Sequence, residues 1–200
     1  MKNDIILALD TTENSISVAL IHSSKILAHQ YKKMERGQGE ALIPMIQDVI
    51  QQSHIDFKSL TKIAVSVGPG SFTGVRIGLA TARGMGLALN IPVVGITSFE
   101  ATAFEITGKV LVVLDTKRGD FFTQFFQDGS PIEAPVIRNE AQIYKLNPPA
   151  VIGSGVPFLP NKNLKIIQMK YEPAVSVGLC SLAKGRAPDP LYLRDADVSI

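Results

Sequence analysis

One hydrophobic strand occurs twice in this chain. Val110-Leu111-Val112-Val113-Leu114-Asp115-Thr116 lies over Ile5-Ile6-Leu7-Ala8-Leu9-Asp10-Thr11 without a gap. A run of strand character comes after each copy, 15–21 in the first and 120–127 in the second. Further on, Val151-Ile152-Gly153-Ser154-Gly155 echoes Val65-Ser66-Val67-Gly68-Pro69-Gly70, and a helical stretch at 174–184 echoes one at 74–89. A repeat of this kind constrains the architecture before single elements are placed. One strand ending in Asp-Thr recurs easily by chance, whereas the shared order of the later elements favours duplication. The chain therefore reads as α/β, with two βββαβα-type halves, each a mixed sheet flanked by helices. They span 1–106 and 107–200 and meet at Thr107-Gly108.

Within the first half the hydrophobic period changes. Strands are expected at 5–9, 15–21, 26–31, 62–67 and 92–96, with a short helix after Ser98. Between them Leu42, Met45, Ile46, Val49 and Ile50 recur at helical spacing. Pro44 is tolerated there if the helix starts near Ala41, because the first turn does not use that N–H. In the second half the tail from Arg186 onward carries Leu191-Tyr192-Leu193, which suits packing on the body.

Charge narrows the function. Lys and Arg number 20 against 18 Asp and Glu, spread evenly over both halves. A chain that binds nucleic acid unaided concentrates its basic residues on one face or tail. The small clusters Lys32-Lys33-Arg36 and Lys162-Lys165-Lys170 read as solvated charge. Cys180 is the only cysteine, so no disulfide forms within the chain, and its thiol fits a reducing compartment. No apolar run nears the ~20 residues that span a bilayer. The first residues enter a β-type run without the apolar stretch of a secretory signal. A cytoplasmic protein is expected.

The most informative stretch is Gly68-Pro69-Gly70-Ser71-Phe72-Thr73-Gly74-Val75-Arg76, between a strand and a helix. Such a position favours anions. Yet a Walker loop needs Gly-Lys where Thr73-Gly74 stands, and the dinucleotide fingerprint wants Gly in place of Thr73. Ser71 or Thr73 as a helix cap is the plainer reading. The helix itself has two rows of small residues: Gly74, Gly78, Ala82 and Gly86, and beside them Arg76, Ala80, Gly84 and Ala88. Gly78, Gly84 and Gly86 together cost about 2.5–3 kcal/mol of helix propensity, large beside a domain's ~5–15 kcal/mol. Close packing on the chain's own sheet and a seam with a second subunit would each offset that.

Catalytic parts are sparse. His22, His29 and His54 fall on different elements without metal-ligand spacing, and no serine sits in a G-x-S-x-G elbow. Asp10 and Asp115, each ending a strand, are the best acids. With Thr11, Gly68, Gly70, Ser71 and Thr73 they make the only candidate nucleotide site, although ending a strand and bracing a turn is role enough for each.

Ile6-Leu7-Ala8-Leu9-Asp10-Thr11-Thr12, GPGSFTGVRIG from Gly68 to Gly78, Pro92-Val93-Val94-Gly95-Ile96 and Pro190-Leu191-Tyr192-Leu193-Arg194 resemble the TsaB family of tRNA threonylcarbamoyladenosine biosynthesis proteins. The match is dense over 5–103 and thin through 104–187. The resemblance implies a duplicated actin-like (ASKHA) fold and a non-catalytic scaffold that pairs with the transferase TsaD and meets the ATPase TsaE. Neither metal nor cofactor is implied, and tRNA is reached through the complex. The His pair that holds the metal of TsaD has no counterpart at 37–41. Pairing in the family uses two helices from each subunit, which places the docking face at Leu42, Met45, Ile46, Val49, Arg76, Leu79, Ala80, Arg83 and Gly84; a homodimer through the same face is the other use. The rival readings are an actin-like ATP-dependent kinase or transferase working through Asp10 and Asp115, and a peptidase, after an older label of the family.

Overall fold

A computed structural model describes residues 4–160 and 163–194; Lys162 and the tail 195–200 lie outside the described residues. The first sheet holds β1 (Ile5–Asp10), β2 (Ser15–His22), β3 (Lys25–Lys33), β4 (Lys62–Ser66) and β5 (Val93–Ile96), in the order β3-β2-β1-β4-β5. β1 runs antiparallel to β2 and parallel to β4, so the sheet is mixed. α1 (Gln38–Ser53) and α2 (Phe72–Leu89) cover one face, and α3 (Ser98–Thr102) comes after β5. Leu7, Leu9, Val18, Ile63 and Val65 of the strands meet Leu42, Ile46, Val49, Val75 and Leu79 of the two helices in one core.

The second sheet repeats this order with shorter outer strands. β6 (Lys109–Asp115) pairs antiparallel with β7 (Phe121–Gln127). Two short strands, β8 (Ser130–Pro131) and β9 (Val136–Arg138), pair with β7 where β3 pairs with β2. After α4 (Glu140–Leu146), β10 (Val151–Ile152) lies parallel to β6 as β4 does to β1. Even the turns agree, for Oδ1 of Asp10 and of Asp115 each accepts from the backbone N–H two residues on.

The last helix, α5 (Pro173–Cys180), breaks the symmetry. It packs on β1 and β2 of the first sheet, on the face away from α1 and α2, where a β-carbon on Gly178 would collide with Ile21. Among the described residues the compact units are consequently 4–101 with 171–191, and 102–160 with 163–170 and 192–194, rather than halves divided at 106/107. The cause is burial on both sides. Ile6, Ala8, Ala19, Ile21 and Ala64 make the rear of the first sheet as apolar as its front, and every residue of α5 from Ala174 to Cys180 is buried. Hydrophobic area attracts whatever apolar face the chain can deliver, without regard to sequence distance.

Two smaller differences have local causes. α1 begins at Gln38 rather than Ala41, which puts Pro44 inside the helix on its exposed side. There the backbone bond that Pro44 forfeits faces solvent. From Arg186 to Leu191 the tail, as expected, lies against the first sheet: Arg186 exchanges two backbone hydrogen bonds with Gly95, and Leu191 N donates to the Val67 carbonyl at 2.7 Å. Among the described residues no helix is long and apolar enough to cross a membrane.

Candidate functional site

At the end of β1 the chain turns through Thr11 and Thr12, and the loop leading into α2 lies directly on that turn. Thr11 Oγ1 donates to the Gly74 carbonyl at 2.6 Å, and Ser71 N donates to the Thr12 carbonyl at 2.6 Å. A β-carbon on Gly70 would collide with the Thr12 carbonyl oxygen, and one on Gly74 with that of Thr11. Gly68 holds φ at +92°, in the region that side chains other than glycine's rarely adopt. Ser71 is the cap of α2, its hydroxyl accepting from Gly74 N at 3.3 Å, whereas Thr73 lies within the first turn. Asp10, Thr11, Gly68, Gly70, Ser71 and Thr73 are thus gathered at one end of the first sheet, where Thr12, Gly74 and Ser98 bond to Asp10, Thr11, Gly68 and Ser71.

Asp10 is only 4% exposed. Its Oδ1 accepts from the N–H and the hydroxyl of Thr12, both at 2.9 Å. Burial pushes its carboxyl above the ordinary aspartate range, against the opposing pull of Thr12 and Ser66. A network continues through Ser66 and Ser98, whose hydroxyls lie 3.1 Å apart, and Ser98 donates to Thr12 Oγ1 at 3.3 Å. Asp115, in the other unit, is half-buried and accepts from Lys117 N at 2.7 Å. Among the described residues no group of three His, Cys, Asp or Glu side chains converges to hold a metal.

On the helical face the structure buries five of the nine expected docking residues. Leu42, Met45, Ile46, Val49 and Leu79, expected to meet a partner, are 0–7% exposed and belong to the chain's own core. The apolar stripe of an amphipathic helix marks the side that packs on its own sheet. Arg76, Ala80, Arg83 and Gly84 are exposed, as expected. Apolar spacing does not reveal the stripe beside them on α1: Glu40, Ile43, Pro44, Gln47 and Asp48 face outward, and Ile43 keeps 46% of its surface. Its sequence signal is the complement of the core stripe, interrupted by two apolar residues. α1 and α2 present their N-terminal turns to the same cleft of about 680 Å³, lined by Arg36, Glu40, Ser71, Thr73 and Ile77. The two helices lie side by side.

The two small-residue rows of α2 separate cleanly. β-carbons on Gly74 and Gly78 would run into Thr11, and one on Gly86 into Val93, so the chain's own sheet and turns account for that row. A β-carbon on Gly84 would meet nothing within 4 Å outside its own stretch of helix. Arg76 stacks over the Phe72 ring with its guanidinium 3.7 Å from the ring centroid. Arg83 Nη2 donates to the Pro188 carbonyl at 2.6 Å and to Asp189 at 2.7 Å.

Comparison with known proteins bears on this geometry. Residues 25–141 match the family model of TsaD, tRNA N6-adenosine threonylcarbamoyltransferase. An uncharacterised Mycobacterium tuberculosis protein is 30% identical over 96% of this chain and 92% of its own length. An uncharacterised Mycobacterium leprae protein is 31% identical over 70% of this chain. The tRNA threonylcarbamoyladenosine biosynthesis protein TsaB of Escherichia coli is 32% identical over 61% of this chain. These last two matches span only 40% of the M. leprae protein and 54% of the E. coli one. Among solved structures, YeaZ from Pseudomonas aeruginosa superposes with a TM-score of 0.73 at 22% identity, covering 95% of this chain and all of that one. An Arthrobacter polyphosphate/ATP-glucomannokinase reaches 0.51 at 11% identity, covering 90% of this chain and 98% of its own. The fold is the actin-like α/β one, shared with YeaZ and with the glucomannokinase.

Proposed function

This chain belongs to the TsaD family, on the side of its TsaB members, and from that premise we propose that it is a non-catalytic scaffold of tRNA threonylcarbamoyladenosine synthesis that docks the transferase TsaD. TsaE joins the pair, tRNA is met through the assembly, the chain itself carries no cofactor, and the work is done in the cytoplasm. Without TsaD the same face closes on a second copy of the chain.

The observation that carries this reading is Gly84. A glycine inside a helix costs about 0.8–1 kcal/mol relative to alanine, and nothing in the fold requires this one. With Ala80 and Ala88 it leaves a bare, exposed track on α2 beside the outward residues of α1, the kind of surface on which another helix reaches dispersion contact. The buried Asp10, occupied with Thr12 and Ser66, supports a scaffold over an ATP-using enzyme, which needs an accessible carboxylate at that strand end. Docking acts on TsaD by favouring its productive conformation, through tighter binding to that state.

Ala80→Trp places a bulky ring on the track while touching no core contact. The variant melts at the wild-type temperature and loses co-purification with TsaD. Co-purification at wild-type yield overturns the placement of the interface. Calorimetry of the wild-type chain with ATP and Mg²⁺ gives no binding heat at millimolar nucleotide; a saturable heat favours the enzymatic alternative.

A further inference from the structure

The two outward stripes differ in charge. α1 carries Glu40 and Asp48 and no cation, whereas α2 carries Arg76 and Arg83 and no carboxylate. All four are exposed. A helix whose charges serve only solubility mixes both signs along its outer face. Here the signs are sorted by helix, one acidic rail beside one basic rail.

The basic rail is also held in place. The ring of Phe72 supports the Arg76 guanidinium, and Asp189 with the Pro188 carbonyl holds Arg83 through Nη2. Cations fixed before binding lose less rotamer freedom when a partner arrives. Asp189 further shows that the site at Arg83 takes a carboxylate from a neighbouring segment.

We propose that this face selects its partner by sorted charge: the occupant sets carboxylates against Arg76 and Arg83 of α2 and cations against Glu40 and Asp48 of α1. The inference rests on the docking reading above and takes the transferase subunit as the occupant. Ile43, Pro44, Ala80 and Gly84 supply contact between the rails, and the rails set register and the rate of encounter. A partner with like charges on either rail is rejected by repulsion, which is how interfaces exclude wrong matches.

The test is association kinetics of the full chain with TsaD from the same organism, at low and at high salt. Arg76→Glu with Arg83→Glu, and separately Glu40→Lys with Asp48→Lys, each slow association about tenfold at low salt. Arg76→Glu alone, which leaves the Arg83–Asp189 pair intact, slows it about threefold. At 0.5 M salt the differences shrink to within about twofold, because screening is nearly complete over a few ångströms. Dissociation of the Ala80→Trp variant is measured alongside. If Ala80→Trp abolishes binding while both reversals leave the rate and its salt dependence unchanged, sorted charge is wrong and the docking reading stands. If Ala80→Trp binds as wild type, both fall. If the reversals instead abolish only self-association of the chain, measured by sedimentation, the occupant is a second copy and the assignment to the transferase is overturned.

Discussion

α2 shows the same chemistry on two sides with opposite explanations. Its inner row, Gly74, Gly78, Ala82 and Gly86, is buried, and each glycine there faces an atom that a methyl group would strike. Its outer row, Arg76, Ala80, Gly84 and Ala88, is exposed, and at Gly84 a methyl group would meet nothing. Small residues on the inner row let the helix settle on Thr11, Val65 and Val93. On the outer row, at Gly84, the fold itself makes no such demand. Spacing alone makes the two rows look alike; their surroundings make them different.

That contrast can be broken at its strong end first. Gly74→Ala drives a β-carbon into the Thr11 carbonyl, a backbone group that cannot step aside. Chemical denaturation should show a loss of about 3 kcal/mol or more, the upper end for overpacking; a loss below about 1 kcal/mol would mean that the turn yields and the inner row is not required. Gly86→Ala meets the side chain of Val93 instead, which can shift, so about 1–2 kcal/mol is expected. In a double-mutant cycle with Val93→Ala a good part of that loss should be recovered. On the outer row the sign reverses. Gly84→Ala should raise stability by about 0.8–1 kcal/mol while weakening co-purification with TsaD, and a variant that is neither stabilised nor weaker in binding would erase the distinction between the rows.

The smallest effect sharpens the inner side through its turn. Burial raises the Asp10 carboxyl in the folded protein above its unfolded value. The group therefore contributes stability that is present below the unfolded pKa and lost as pH rises through the folded one. Asp10→Asn keeps an oxygen for Thr12 and removes the charge. Thermal melts should find it at least as stable as wild type at pH 7, with the difference closing on acidification below the ordinary carboxylate range. A variant that is less stable at pH 7 and regains nothing in acid would show that the ionised carboxylate is the braced form.

Much of the first sheet is legible in the sequence because its strands are long and its turns are punctuated. β1 to β5 and both of their covering helices stand within a few residues of where periodicity puts them. The repeat is legible too, down to the matched aspartate turns after β1 and β6. The third strand of the second sheet is not, since its two short pieces, Ser130–Pro131 and Val136–Arg138, are shorter than any periodic signal. At the candidate site the loop residues around Gly68 stand out in the sequence, while Leu42, Met45, Ile46, Val49 and Leu79, assigned to a docking face by the family resemblance, lie in the chain's own core.

Amino-acid order alone determined the set of elements, their duplication and the spacing of small and apolar residues along each helix. Those depend on local geometry: the pleat, the helical turn and the residues that cap or break them. Which of two parallel rows is buried, and which sheet receives α5, was decided by tertiary structure. Both depend on apolar area brought together from distant parts of the chain, such as Gly178 on Ala8 or Gly74 on Thr11. Burial is settled by the atoms opposite a residue, and period describes only the residue's own strand or helix.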